Sequence, residues 1–409
     1  MARTPHEKRR ALIAGAGIGG LAAALALSRA GFEVDIFERA ATLDEAGAGV
    51  QIPPNASGIL ADLGVLHRLN NKALEPERLL VRSGASGAEL MTMPLGREAR
   101  LRWDNPMLVA HRADLQTALL EAVSEDRNIH LALDATITGL ENTSSGVTLQ
   151  LQMEGEEQEC TGDLLVGADG AHSIVRRLAK LGIAAGFSGR VAWRAIIPVQ
   201  DAPAFARAPE TALWLGAKTH LVHYPLRGGS IVNIVAIAEG EWRGGDENFW
   251  ATPGDARDVL HAFRHWDISA RKLLEAVTDW RRWPLLDAAA LPRWSQGAVT
   301  LLGDAAHPML PFFAQGGAQA IEDAGALGAA FMPRGWQEVS IVRGLANYER
   351  TRHARATRIQ TASRKQGMIY HLSGPAALVR DIGMRALPPE MVMARFDWLY
   401  EDQRGAFFT

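Results

Sequence analysis

The stretch from Ala11 to Glu38, ALIAGAGIGGLAAALALSRAGFEVDIFE, constrains this chain more than any other. Ala11 to Ala14 is a short apolar run suited to a strand buried on both faces. Gly15-x-Gly17-x-x-Gly20 follows and opens a helix rich in Ala and Leu, which stops at Gly31, a natural C-terminal cap. Val34 and Ile36 then alternate with polar neighbours as a second strand that ends at Glu38. Strand, glycine turn, helix, strand and acid in this order form a dinucleotide-binding fingerprint, with the acid about 20 positions beyond the glycines. The glycines let backbone N–H groups and the positive end of a helix approach a pyrophosphate. Glu38 offers an acceptor to ribose hydroxyls and would repel a 2′-phosphate. An adenine dinucleotide is the expected ligand. At this point NAD and FAD are both open.

The remainder of the chain separates them. A dehydrogenase would add further strand–helix repeats to the same nucleotide-binding half, but here the chain turns irregular after Arg39, with AGAGVQIPPNA at 46–56. A second apolar run, Asp163 to Gly170, comes only much later and precedes AHSIVRR, a polar turn ahead of a helix. A third, Val299 to Asp304, leads into LGDAAHPMLP and then Gly316-Gly317. No second GxGxxG is followed by a helix and a strand ending in an acid, so only one resting dinucleotide is expected. The length of 409 residues fits about two domains. Between 187 and 240, RVAWRAIIPV, TALWLGAK, THLVHYPLR and SIVNIVAIAE are β-rich runs separated by Gly and Pro, as in antiparallel strands. Helical sequence returns after about 318, and ANYERTRHARATRIQTASRKQGMIYHL reads as one long helix whose basic residues form a solvated face.

GAGIGG near the start, GADGAHSIVR at 167–176 and GDAAHPMLPFFAQGG at 303–317 resemble, in this order, the three signatures of single-component FAD-dependent aromatic hydroxylases, the class A flavoprotein monooxygenases. The likeness is strongest to the branch with salicylate hydroxylase, 3-hydroxybenzoate 6-hydroxylase and the hydroxynicotinate hydroxylases. It implies an α/β fold with a discontinuous Rossmann-type FAD-binding domain at 1–75, 106–180 and 286–345. An antiparallel β-sheet substrate domain would be inserted at 181–285, with a segment from 76–105, and helices would close the chain at 346–409. It also implies FAD as cofactor, NADH or NADPH as transient co-substrate and O2 as oxidant. The substrate would be a small phenolic or hydroxy-N-heteroaromatic acid, hydroxylated through a flavin C4a-hydroperoxide.

The resemblance assigns roles. Gly15, Gly17 and Gly20 would hold the pyrophosphate, and Glu38 the adenosine ribose, with Arg39 beside it. Arg112, in HRADLQTAL, would pack against the pyrophosphate region. Asp169 would belong to a surface shared by FAD and NAD(P)H. Asp304 would contact the ribityl chain, Pro311 would sit beside the isoalloxazine, and Gln51 would approach the flavin through its backbone. Gly316 and Gly317 would bring N–H groups to the pyrimidine edge, where negative charge collects on reduction. Asp169 and Asp304 also suit helix caps, so that second reading stays beside the first.

In THLVHYPLR, His220 and Tyr224 are four apart and share one face of a strand, while His223 points to the other. The pair resembles the histidine and tyrosine lining the pocket of the 3-hydroxybenzoate 6-hydroxylase branch. A flavin hydroperoxide is a moderate electrophile, so the ring must be made electron-rich by removing its phenol proton. A histidine with an ordinary pKa near 6.5 suits that base, and Tyr224 would orient the ring. Gln315 could hydrogen-bond a ring substituent. Trp193 and Arg194 stand where the family has YRA, and Arg194 suits either a substrate carboxylate or an inter-domain salt bridge.

Net charge is −3, which gives no basic field for nucleic acid. The basic start MARTPHEKRR precedes no signal-peptide core, and the apolar stretch Ile18 to Ala30 is too short to span a bilayer. The single Cys160 leaves no intrachain disulfide, CxxC pair or multi-cysteine metal site, and no metal is expected. These features point to a cytoplasmic protein, a monomer or homodimer by the resemblance. Three rival readings remain: epoxidation of an alkene by the same flavin chemistry, a plain NAD-dependent dehydrogenase, and a flavin-binding sensor without turnover.

Overall fold

Ala11 to Ala14 are fully buried, as a strand covered on both faces requires. The computed structural model describes residues 8–43, 48–143, 146–242, 252–332 and 339–408; most of the basic start and part of the 46–56 stretch lie outside them. β1 (Arg10–Ala14), α1 (Ile18–Arg29) and β2 (Glu33–Phe37) form the expected unit, and Gly31, at φ +93°, ends the helix.

β1 sits inside a six-stranded sheet ordered 295–296, 299–301, 164–167, 10–14, 33–37, 129–132. Every neighbour pair is parallel except the first. Ile13 lies beside Val166, and Val166 beside Thr300. Three runs separated by more than a hundred residues therefore leave the sheet side by side at their carboxyl ends. In an open parallel sheet that edge is where a ligand binds.

A second sheet of eight strands is ordered 253–254, 280–287, 186–198, 231–239, 219–226, 211–216, 78–83, 89–94. All its pairings are antiparallel except Thr211–Gly216 beside Arg78–Ser83. Side chains alternate across it. One face buries Trp193, Leu221 and Ala236 against Val259, Phe263 and Leu273 of two short helices. The other face carries Ala192 and Ile237, which pack on Leu310 and Phe312 of the loop that leaves the first sheet. The same loop thus belongs to both layers.

The long helix spans Ile341–Tyr370 as its sequence indicates, but not with a wholly solvated basic face. Arg352 is 0% exposed and lies against Glu322 and Asp323 of the helix Gly316–Phe331. Arg355 reaches Glu322 at 2.8 Å. The acidic partners of these arginines lie about 30 positions away in sequence, outside the pattern of a single helix, which is why the helix read alone indicates a solvated face.

Candidate active site

Each glycine of the first motif meets a different requirement. Gly15 has φ +99°, and a Cβ there would fall 2.7 Å from the Ala168 carbonyl oxygen. A Cβ on Gly20 would fall 2.0 Å from the Gly15 oxygen, so only glycine lets α1 pack this close to the strand end. At Gly17 a Cβ would meet nothing within 4 Å. The middle glycine therefore faces open space at the helix N-terminus. Glu38 frames that space: its carboxylate accepts from the Ala16 N–H at 2.9 Å and the Ala40 N–H at 3.0 Å. Arg39 next to it is exposed.

The third motif lies along the same groove. Asp304 reaches the surface of the groove on a 3₁₀ turn; the surrounding protein raises its carboxyl by desolvation, and His307, Arg112 and Arg176 oppose that rise. Gly316 and Gly317 begin a 16-residue helix, and Cβ atoms there would meet nothing nearer than 3.9 Å and 3.8 Å. The backbone at 17, 316 and 317 thus faces free space, and two helix N-termini border it, as a diphosphate and an anionic ring require. The groove fits FAD. Gln51 sits on the strand Gly49–Ile52 that joins this groove to the second sheet, and Pro311 opens the turn carrying Phe312. Arg112 is the first residue of the helix Arg112–Glu125, anchored by its N–H to the Ala48 carbonyl.

Of the two readings of Asp169, the structure shows the helix cap. Its carboxylate accepts from the Ser173 hydroxyl at 2.6 Å and from the Ile174 and Val175 N–H groups at 2.7 and 3.1 Å. It caps the helix Ile174–Leu178. Arg176, which sequence reading passed over, donates from there to the Ala305 and Ala171 carbonyls at 2.9 and 2.5 Å, tying the second motif to the third. Its place directly after the GADG turn was the available signal.

Behind Asp304 lies a buried polar cluster that sequence reading also missed. Asp323 accepts from the Gly303 N–H at 2.9 Å, from His307 Nε2 at 2.6 Å and from Arg352 Nε at 2.7 Å. Arg352 also pairs with Glu322 and donates to Gln319 at 2.6 Å. Burial alone would raise the Asp323 carboxyl, but His307 and Arg352 bring it down to about 2. Gln315 is buried here: its carbonyl accepts from Asn55 and Gln319, while its Nε2 has no partner.

The second sheet supplies the chamber wall. Register puts His220 opposite Ile237, Tyr224 opposite Asn233, and Arg194 opposite Val235, so these three side chains share the face that meets Phe312. The same alternation sends Trp193 to the far face, among Leu221, Ala236 and the short helices, so it does not line the chamber. His223 also points there, beside Trp214 and Phe205.

His220 stands 5.3 Å from the Phe312 ring and shares a hydrogen bond of 2.8 Å with His371. Tyr224 packs on the backbone of Gly49, whose N–H donates to Asn233. Burial raises the Tyr224 hydroxyl well above its usual range, with Arg194 opposing. The Arg194 guanidinium lies 4.1 Å above the Trp283 ring, and its Nε has no hydrogen-bond partner. Burial lowers Arg194 to about 10. Among the described residues it meets no carboxylate, so the inter-domain salt bridge allowed by the sequence is not formed by them.

Three buried histidines give a pH prediction. Burial first, and neighbouring positive charge second, push His220 well below its ordinary value, His223 to about 3 and His371 to about 4. Unfolded, each titrates near 6.5. As pH falls below about 6.5 the unfolded chain takes up protons that the folded one refuses, so stability drops. The slope approaches about 1.4 kcal/mol per pH unit for each histidine, or about 4 for the three near pH 5. Urea unfolding between pH 7 and 5 should show it, and a flat profile would contradict it.

A sheet with one dinucleotide fingerprint, joined through the Phe312 loop to a second sheet that presents histidine, tyrosine and arginine on the facing side, defines a flavoprotein. A family model described as "FAD binding domain" matches residues 8–363, and the chain belongs to that family, among the FAD-dependent aromatic hydroxylases of the class A flavoprotein monooxygenases. It is 36% identical to a 3-hydroxybenzoate 6-hydroxylase of Polaromonas naphthalenivorans over 95% of each chain. It is 32% identical to a 6-hydroxynicotinate 3-monooxygenase of Bordetella bronchiseptica, over 87% of this chain and 91% of that one. Its fold superposes on Klebsiella pneumoniae HpxO, complexed with FAD and uric acid, with a TM-score of 0.82 at 25% identity, covering 95% of both. A salicylate hydroxylase substrate complex shares the fold at a TM-score of 0.81, with 24% identity and 98% and 97% coverage. FAD is the cofactor, and the chemistry is monooxygenation of an aromatic ring. Among the described residues no helix is long and apolar enough to cross a membrane, and no cluster of candidate metal ligands occurs.

Proposed function

We propose that the enzyme hydroxylates a small phenol or hydroxy-N-heteroaromatic that carries a carboxylate. The balance is ring–H + O2 + NAD(P)H + H⁺ giving ring–OH + H2O + NAD(P)⁺. The carrying observation is the one-sided row of His220, Tyr224 and Arg194, which meets no carboxylate among the described residues, facing the Phe312 loop. The relatives named for hydroxybenzoates and hydroxynicotinate support the same substrate class.

FAD, when bound, supplies the electrons taken from the nicotinamide and the activated oxygen. The residues do the rest. Glu38, Arg39, the glycines at 15, 17 and 20, and Arg112 would hold the adenine and pyrophosphate end. Gln51, Asp304, Pro311, Gly316 and Gly317 would hold the ring end. Arg194 pairs with the substrate carboxylate, which gives a counter-ion to a cation that meets none among the described residues. His220, kept neutral by burial, takes the phenol proton at Nε2, because Nδ1 is engaged by His371. Tyr224 orients the ring, and the free amide of Gln315 donates to a substituent. Leu310, Phe312, Ala192 and Ile237 exclude water, which would otherwise divert the activated oxygen to peroxide. Asp169 acts on the site by shaping the second motif. The nicotinamide pool that this reading needs is found in the cytoplasm, and a monomer or homodimer suffices, since one chain carries every assigned residue.

The deciding experiment follows NADH and NADPH oxidation by FAD-loaded protein in air, with hydroxybenzoates, hydroxynicotinates, their decarboxylated phenols and simple alkenes. Acceleration by one ring acid without matching peroxide supports the proposal; acceleration only by alkenes overturns it in favour of epoxidation. Arg194→Met should cut kcat/KM for the acid by about 10²-fold, the cost of losing one partner of a buried charge pair, with little effect on the decarboxylated phenol. The substrate-free variant should unfold no more readily than the wild type. Equal losses on acid and phenol would remove Arg194 from carboxylate binding.

A further inference from the structure

We propose that His371 and Glu239 form the exit through which the phenol proton, once taken up by His220, leaves the chamber. This rests on the reading of His220 as the base. His220 Nδ1 and His371 Nε2 are 2.8 Å apart, with ring centroids 5.1 Å apart. On the far side of the second ring, His371 Nδ1 is buried with no hydrogen-bond partner among the described residues and lies 3.7 Å from Glu239 Oε1, just beyond hydrogen-bond distance, while the Glu239 side chain is 38% exposed. Two imidazoles thus separate the chamber wall from solvent. The arrangement is held from both ends: His371 follows the last turn of the helix Ile341–Tyr370, and its carbonyl accepts from the Lys218 N–H, in the turn before the strand bearing His220.

The surroundings explain why an exit is needed. The His220 ring is packed against Phe312 and Tyr370, and Arg190 adds positive potential from the strand 186–198, two strands away. A lasting imidazolium at His220 would be a buried charge beside a like charge, which is costly. His371 is faced by Glu239 and, more remotely, by Arg190 and by Arg380 of the helix Gly374–Arg385; Lys218 lies 4.0 Å from Glu239. The Tyr370 hydroxyl donates to the Phe312 carbonyl, and burial raises it to about 12, so it keeps its proton.

The transfer balances without any other reagent. Before substrate binds, His220 carries its proton on Nδ1 and donates it to His371 Nε2, while His371 carries its own on Nδ1. As the phenol O–H bond breaks, an N–H bond forms at His220 Nε2. The Nδ1–H of His220 passes to His371 Nε2, and the Nδ1–H of His371 passes to Glu239 as that half-exposed side chain closes to hydrogen-bond distance, and from Glu239 to solvent. One proton leaves, the phenolate stays, and neither ring holds a lasting charge. His371 is a positioning and relay residue and does not touch substrate.

The test uses the FAD-loaded full chain and the ring acid that the oxidation panel picks out, following phenolate absorbance in a stopped-flow mixer. His371→Ala should bind the acid with nearly unchanged affinity but form phenolate about 10²-fold more slowly, the size of a lost proton-transfer partner. Added imidazole should restore the rate, increasingly as its free-base fraction grows between pH 6 and 8, which repair of a merely structural defect would not do. Glu239→Gln should slow the step less. Phenolate formation at the wild-type rate in His371→Ala, or a slow rate that imidazole leaves unchanged, would overturn the relay. Should His371→Ala fail to fold, His371→Gln keeps a hydrogen-bonding side chain that cannot pass a proton on, and a wild-type rate there would overturn the relay equally. His220→Gln separates the two ideas. If it still forms phenolate, the base assignment falls and takes the relay with it; if it does not, while the His371 variants behave as wild type, the relay alone is wrong.

Discussion

His220→Gln is expected to lower ring hydroxylation at neutral pH by about 10²–10⁴-fold, the contribution of a positioned general base. FAD content should be unchanged, because His220 lies on the second sheet and no residue assigned to the adenine or pyrophosphate end touches it. Glutamine retains a hydrogen-bonding side chain in the strand and isolates the loss of basicity from a loss of volume. Without phenolate the ring is a poor nucleophile, so oxygen activated at the flavin should be released as peroxide. The measurement is product formed and peroxide released per NADH consumed; an unchanged product yield would remove His220 from the chemistry. The effect is larger than simple exposure of a pocket would give, because Nε2 is the nitrogen left free once Nδ1 engages His371.

The second large effect is structural. Arg352→Met should destabilise the protein by about 3–5 kcal/mol, the usual cost of removing one partner from a buried ion pair. Arg352, Glu322 and Asp323 are each 0% exposed, so neither carboxylate can turn to water when the guanidinium goes. The loss should spread to the cofactor. Asp323 also holds the Gly303 N–H and His307, and Gly303, at φ +61°, is the residue that turns the chain to present Asp304. FAD affinity should therefore fall together with stability. Arg352→Lys should rescue little, since one ammonium cannot match a guanidinium that serves Asp323, Glu322 and Gln319 at once. Denaturant unfolding with an FAD titration checks both, and a loss under about 1 kcal/mol would show that the carboxylates find other partners.

What could be read from the sequence was local. The glycine fingerprint, the strand ending at Glu38, and the alternation placing His220 with Tyr224 and against His223 depend on spacings of a few residues. The structure has the same elements there. Readings that changed depend on distant partners. The same alternation that placed His220 should have separated Trp193 from Arg194, yet which face meets the Phe312 loop is decided by packing between two sheets. Arg352 and Arg355 look like any basic residues on a long helix until Glu322 lies against them. Asp169 satisfies its carboxylate within the next six residues, so its cap, the second of the two readings its sequence allows, is a local feature. His371 carried no motif at all.

The strand order of the first sheet also bears on how this protein comes into being. The pyrophosphate turn is made at residue 17, but the loop opposite it is held by Arg352, about 335 residues later. At a synthesis rate of about 5–20 residues per second, roughly 20 to 70 seconds pass between the two. Through that interval the nascent chain has a phosphate-binding turn with no floor for the rest of the cofactor; β1 waits for its neighbour at 164–167, and that strand waits in turn for 299–301. Contacts so far apart fold slowly. Tight FAD retention should therefore arise only once the helix carrying Arg352 has been made and has packed against Asp323, and the holoenzyme is expected to assemble by flavin joining a chain whose first sheet is already complete.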